Sequence, residues 1–200
     1  MDVCASCHSR RSQVAEGFTP GSRLLDHYVP SLLDEGLYFA DGQILDEVFV
    51  YGSFVQSKMH HAGVTCGDCH ASHSARLLRE DNDVCTACHS PGGSSRFPGL
   101  QPKVYDSPEH HFHASNAAAG KVARVVGSGS ACVDCHMTAR AYMGIDDRRD
   151  HSFRLPRPDL SSALGVPNAC NGCHEDRSSE WAAQQLATWF GAKFSDHFAY

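Results

Sequence analysis

Apolar and polar positions alternate along this chain in short bursts, and few bursts hold one period for long. The longest runs from Ile44 to Met59, where Ile44, Val48, Tyr51, Val55 and Met59 recur at spacings of 4, 3, 4 and 4. That spacing lines one face of a helix and predicts a helix over 44–59, with Gly63 placed where it would stop. The valine and tyrosine content suits a strand as well. A second helix is predicted near the C-terminus, where Trp181, Gln185 and Trp189 share a face with Leu186 and Phe190 alongside. Ser178 is placed to cap it, Glu180 lies in its first turn where negative charge is favoured, and Gly191 marks its end. Elsewhere breakers dominate. Pro20 and Pro30 bracket at most a short helix, and the stretches 90–102 and 127–130 read as loop. The pattern predicts a mainly α chain with much irregular structure.

Two hundred residues is the length of one domain. The formal charge of −6 argues against a general affinity for nucleic acid or anionic membranes. No apolar run approaches the roughly 18 residues of a membrane span.

The cysteines change this picture. Cys-x-x-Cys-His occurs five times, as Cys4–His8, Cys66–His70, Cys85–His89, Cys132–His136 and Cys170–His174, and the copies use all ten cysteines. This motif attaches c-type haem: two thiols (Cys4 and Cys7, Cys66 and Cys69, Cys85 and Cys88, Cys132 and Cys135, Cys170 and Cys173) bond to the porphyrin, and the adjacent imidazole takes the iron. Zinc fits poorly, since five Cys-x-x-Cys knuckles cannot pair evenly into tetrahedral sites. A disulfide scaffold does not arrange its cysteines in identical pairs trailed by histidine. A thioredoxin-like motif occurs once, beside a βαβ pattern that is absent here.

Five haems on 200 residues leave 40 residues for each. So thin a chain must wrap its porphyrins and use them as core, which predicts a fold organised around stacked haems and dependent on them. Motif starts lie 62, 19, 47 and 38 residues apart, so there is no solenoid period. Haem attachment of this kind happens outside the cytoplasm, and the expected location is periplasmic or extracellular. The opening Met1-Asp2-Val3-Cys4 holds no signal peptide, so the sequence reads as a processed product or a fragment.

His8, His70, His89, His136 and His174 are the expected proximal ligands. Of the 14 histidines, nine stand outside the motifs, and about four are expected to fill sixth positions. His73, three residues past His70, is too close to reach the far face of its own porphyrin but can ligate a neighbouring iron. His151 follows a charged stretch whose Arg148 and Arg149 suit haem propionates, or simply face solvent. One ligand is expected from His110-His111-Phe112-His113, with His113 the choice, and one from Met59-His60-His61, where His60 is a candidate and Met59 and His61 stay open. His27 completes the set. His197 is set aside as near a terminus, and Met137 and Met143 are read as packing residues.

The chain resembles the multihaem c-type cytochromes of the doubled Cys-x-x-Cys-His and cytochrome c554-like group. More narrowly, it is similar to the haem portion of bacterial proteins that carry such a domain ahead of tetratricopeptide repeats. The matching stretches are Ala40–Ile44, Tyr51–Phe54, Ala62–Cys66, Cys135–Met137, Arg148–Arg154, Arg157–Leu160 and Pro167–Cys170. The resemblance implies His73 and His151 as distal ligands, further haem motifs upstream and helical repeats beyond about residue 190. The chain is expected to divide into a pentahaem domain, 1–177, and a C-terminal helix, 178–200, that covers the fifth haem or starts an attached domain. The cytochrome c nitrite reductases of the wider group end one motif in lysine; all five here end in histidine, which argues against that activity.

The expected function is electron transfer along five haems. Its partners would be other redox proteins, further haem domains of the same protein, or copies of the chain docked end to end in a filament. The alternative is an oxidoreductase with one five-coordinate haem acting on a small nitrogen or sulfur compound.

Overall fold

The computed structural model describes residues 1–74, 76–113 and 127–191. Its elements are short. Helix α1 spans Asp2–His8, and strand β1, Arg11–Gln13, pairs antiparallel with β2, Tyr28–Pro30. A 3-10 turn, Leu24–Asp26, lies between these strands, inside the stretch bracketed by Pro20 and Pro30. Helices α2, Tyr51–Phe54, and α3, Lys58–His61, come before a second 3-10 turn at Cys66–Asp68. They are followed by α4, Asp83–Thr86, α5, Pro108–His111, and α6, Cys132–His136. Strands β3, Ala139–Tyr142, and β4, Asp146–Arg149, form a hairpin. Helices α7, Pro158–Leu164, and α8, Ser179–Phe190, pack on each other. The described residues are thus helical and irregular with few strands.

The C-terminal helix forms as the sequence predicts: the Ser178 side chain accepts from the Trp181 amide, and Gly191 caps the end. The predicted 44–59 helix does not form as one element. Phe49 takes the left-handed region at φ 59, and Ser57 turns extended and caps a fresh start by accepting from the His60 amide. Two single-turn helices result. The apolar face is still used, because Ile44 and Val48 join Tyr38 and Tyr142 in the buried core.

That core is small, and apolar side chains such as Leu25, Leu32 and Ile145 stand exposed. Polar ties join distant segments instead. Buried Asp150 accepts from the amides of Ile44 (3.1 Å) and Ser152 (2.8 Å). Arg154 donates to the Asp41 carbonyl (2.7 Å) and to Gln56 Oε1 (2.9 Å). Asn82 donates to the Ser130 carbonyl and accepts from the Cys132 amide, tying α4 to α6. Burial, with Asp150 nearby, pushes the Tyr38 hydroxyl up to about 12, so it stays protonated. Gly52 lets that hydroxyl pass close to the backbone, since a Cβ there would overlap it.

Candidate haem-attachment sites

The first and fourth motifs lie on α1 and α6, the second opens a 3-10 turn, the third runs on from α4, and the fifth is a turn outside any helix. The histidine amide donates to the carbonyl of the first cysteine at 2.9 Å in His70, His89 and His174. This curl puts two sulfurs and an imidazole on one side of the backbone, as attachment of one flat group at three points requires. Residues inside and beside the motifs hold the curl. Asp68 closes a capping box with Thr65, accepting from its amide at 2.7 Å. Asn171 donates from its amide to Asn168 Oδ1 (3.0 Å), and from its side chain to the Arg177 carbonyl (2.7 Å). None of the ten cysteines is in a disulfide. Among the described residues, no three His, Cys, Asp or Glu side chains converge as a metal site made by protein alone.

Burial raises the thiols of Cys66, Cys69, Cys85, Cys135 and Cys170, although for Cys85 its bond to Cys132 is the larger cause. Cys135 is pushed up to about 12. Such surroundings favour neutral sulfur, which suits a thioether better than the thiolate that zinc needs. Motifs next to each other in sequence are neighbours in space. Cys66 is hydrogen-bonded to Cys4 and Cys85 to Cys132, while Cys69 senses Cys88 and Cys135 senses Cys170.

Three motif histidines face a histidine from outside the motifs. His70 faces His151 with ring centres 6.4 Å apart and planes at 29°. His136 faces His110 at 6.3 Å and 10°, and His174 faces His113 at 6.2 Å and 35°. A metal–imidazole bond of about 2 Å plus about 1.2 Å from nitrogen to ring centre, taken twice, gives about 6.4 Å. Each pair therefore stands at the separation that two imidazoles would have with one metal ion between them.

The ring tautomers agree. Nδ1 of His136 donates to the Arg154 carbonyl (2.8 Å), Nδ1 of His151 to the Arg149 carbonyl (2.9 Å), and Nδ1 of His113 to the His111 carbonyl (2.5 Å). A proton held at Nδ1 leaves the Nε2 lone pair for a metal. Burial lowers the pKa of His136, His151, His89 and His110, the last to about 4 with help from His136, so the rings stay neutral and able to ligate.

Helix α8 packs over the fifth motif. Trp181 meets His174 at 5.2 Å, Trp189 lies 6.5 Å from His113, and Phe190 lies 6.1 Å from His110. The sequence expectation took one ligand, His113, from residues 110–113, and the structure sets His110 against a motif histidine as well. The spacing of three was the available signal, because His110 at the end of α5 and His113 past a left-handed Phe112 point to different motifs.

The other candidates are placed differently. His60 packs between Phe54 and His61, with a buried Nδ1 that has no hydrogen-bond partner. His27 lies edge-on to Phe18 and donates to the Glu16 carbonyl (3.0 Å). His73 is exposed in the turn after the second motif, and it is His151 that faces His70. Arg148 pairs with Glu47 (2.9 Å), and Arg149 donates to the carbonyls of Val133 and Met137. Both arginines line a cavity of about 420 Å³ with Cys7, His8, Ile44, Phe49 and Tyr142. Tyr105 stands edge-on to His89 at 5.7 Å. His197 lies outside the described residues.

Cysteine pairs on tight turns, imidazoles facing each other and a cavity opening on Cys7 and His8 all fit covalently held haem. They define a multihaem c-type cytochrome, a haem-iron protein of electron transport. The chain belongs to the outer membrane cytochrome MtrC/MtrF-like family, domains II/IV, whose model matches residues 62–197. Its fold is similar to that in the crystal structure of the outer cell wall cytochrome OcwA, with a TM-score of 0.65 and 20% identity over 93% of this chain. The chain spans about half of OcwA, 51% of its length. No curated protein matches it by sequence. Family membership agrees with the periplasmic or extracellular location expected from the motifs. Among the described residues, no helix is long and apolar enough to cross a membrane.

Proposed function

We propose that the chain binds five haem c groups and passes electrons along them, as a relay in periplasmic or extracellular electron transfer. The observation that carries this reading is the repeated separation of 6.2, 6.3 and 6.4 Å between a motif histidine and a second histidine. When bound, each haem supplies a one-electron iron couple whose potential its axial ligands help to set. His70 with His151, His136 with His110, and His174 with His113 would hold three irons from both sides. His8 and His89 would hold the other two from one side, with His60, His27 and His73 as the supply for the far side. The small core favours the same reading, because five porphyrins would complete it.

The nearness of sulfurs from successive motifs supports an order in which neighbouring haems are neighbouring motifs, close enough to stack. Helix α8, seated over His174, is read as a cover of the fifth haem. Partners are other redox proteins or further haem domains, and electron microscopy tells a relay of that kind from end-to-end filaments. Denaturing mass spectrometry of the mature chain tests the count: five covalent haem increments are expected, and four or fewer contradict it.

A further inference from the structure

The segment between Ser107 and His113 supplies one histidine to each of two motifs. Pro108–His111 forms α5, and His110 on it faces His136. Phe112 then takes the left-handed conformation at φ 55, a region that bulky side chains rarely adopt. This reversal turns His113 the other way, toward His174. The strained residue is clamped from outside, since Phe112 stacks flat on Trp189 with centres 4.6 Å apart and planes at 3°. The His113 ring is also seated against backbone. A Cβ on Gly129 would overlap this ring, and Gly129 has φ +75. The loop carrying Gly129 is fixed by Asp134, which accepts from the amides of Gly127 (2.8 Å) and Gly129 (3.3 Å). Asp134 is an inner residue of the fourth motif, Cys132-Val133-Asp134-Cys135-His136.

We propose that residues 107–113 are a strap delivering the distal ligands of the fourth and fifth haems together, and that Gly129, anchored by Asp134 of the fourth motif, is the positioning residue that lets His113 reach the fifth iron. The proposal rests on the pairing of His174 with His113 argued above. It assigns a role to the inner residue of a haem motif, a position the attachment chemistry leaves free. It also makes the ligation of one haem depend on the backbone of its neighbour.

The test uses the full chain with its haems, and reads spin state by electron paramagnetic resonance and haem count by mass spectrometry. His113→Ala should convert one haem equivalent from low to high spin with all five haems retained. Gly129→Ala should convert the same haem, because the added methyl displaces the imidazole. Asp134→Ala adds no bulk and should loosen the same ligand, whereas Asp134→Asn keeps an oxygen acceptor and should behave as the parent. If His113→Ala converts one haem while Gly129→Ala stays fully low-spin, the positioning role is overturned and the pairing stands. If His113→Ala leaves every haem low-spin, the pairing and the positioning role fall together. Should Gly129→Ala fail to mature, the two Asp134 variants decide, and a fully low-spin Asp134→Ala overturns the proposal.

Discussion

Around the fifth motif, the rings of Trp181, Trp189 and Phe112 crowd the two facing imidazoles, and α7 packs on α8 beside them. Around the first motif, Cys7 and His8 open on a cavity of about 420 Å³, and the nearby surface exposes Val14, Leu25, Leu32 and Leu33. The difference shows two ways of holding a flat cofactor. At the fifth motif the polypeptide has its own aromatic packing and holds the ligands ready. At the first, the β3–β4 hairpin and side chains of the segment 44–50 line the cavity, and a porphyrin held there would supply the packing that they leave open.

The largest expected effect comes from removing the two attachment points in turn. Changing Cys4 and Cys7 to alanine should leave residues 1–50 without their packing partner and speed amide exchange there on the order of 100-fold. Changing Cys170 and Cys173 to alanine should leave the α7–α8 pair largely protected. Hydrogen exchange read by mass spectrometry gives both answers. The contrast fails if α7 and α8 lose protection as fast as the N-terminal segment does.

Single side chains sharpen the same contrast. Trp189→Ala removes a ring stacked on Phe112 and should cost about 2–4 kcal/mol in denaturant unfolding. Leu32→Ala, at a site 74% exposed, should stay within about 0.5 kcal/mol of the parent. Equal losses would mean that the N-terminal surface is packed after all. Gly52→Ala lies between these. Its Cβ would overlap the Tyr38 hydroxyl in the core cluster, and forcing that ring aside should cost about 1–3 kcal/mol.

The smallest effect concerns the first turn of α7. Hydrogen bonds from Arg157 hold the Asp159 carboxyl below its ordinary value against the cost of burial. The folded state therefore favours the ionised form. This contribution is present above the usual carboxylate range and is lost as pH falls through the lowered pKa. The pair is partly open to solvent, so Asp159→Asn should flatten the acid-side loss of stability by less than about 0.5 kcal/mol. Thermal melts at acidic and neutral pH would show it, and an unchanged acid slope would remove Asp159 from the account.

Much of the attachment chemistry was legible in the sequence, because Cys-x-x-Cys-His is local and its geometry follows from one helical turn. Helix α8 was legible for the same reason, with its cap, its face and its stop all within fourteen residues. The 44–59 helix was not. Its period of apolar positions is real, but Phe49 and Ser57 break the backbone while Ile44 and Val48 still reach the core. Distal ligands depend on contacts far apart in the chain, and their legibility follows that distance. His151 was singled out by its surroundings, and the structure sets it against His70. His113 was chosen from its cluster, where the spacing of three to His110 was the one local hint that the two rings turn toward different motifs. His73 was argued from its closeness to His70 and from the resemblance, and the turn that carries it is exposed.

The central claim is that motif histidines are paired with histidines outside the motifs across haem iron. A low-temperature electron paramagnetic resonance spectrum of the oxidised, fully loaded chain tests it most directly. The account predicts low-spin signals from at least three bis-imidazole irons, carried by His70 with His151, His136 with His110 and His174 with His113. High-spin signals integrating to three or more of the five haems would contradict it.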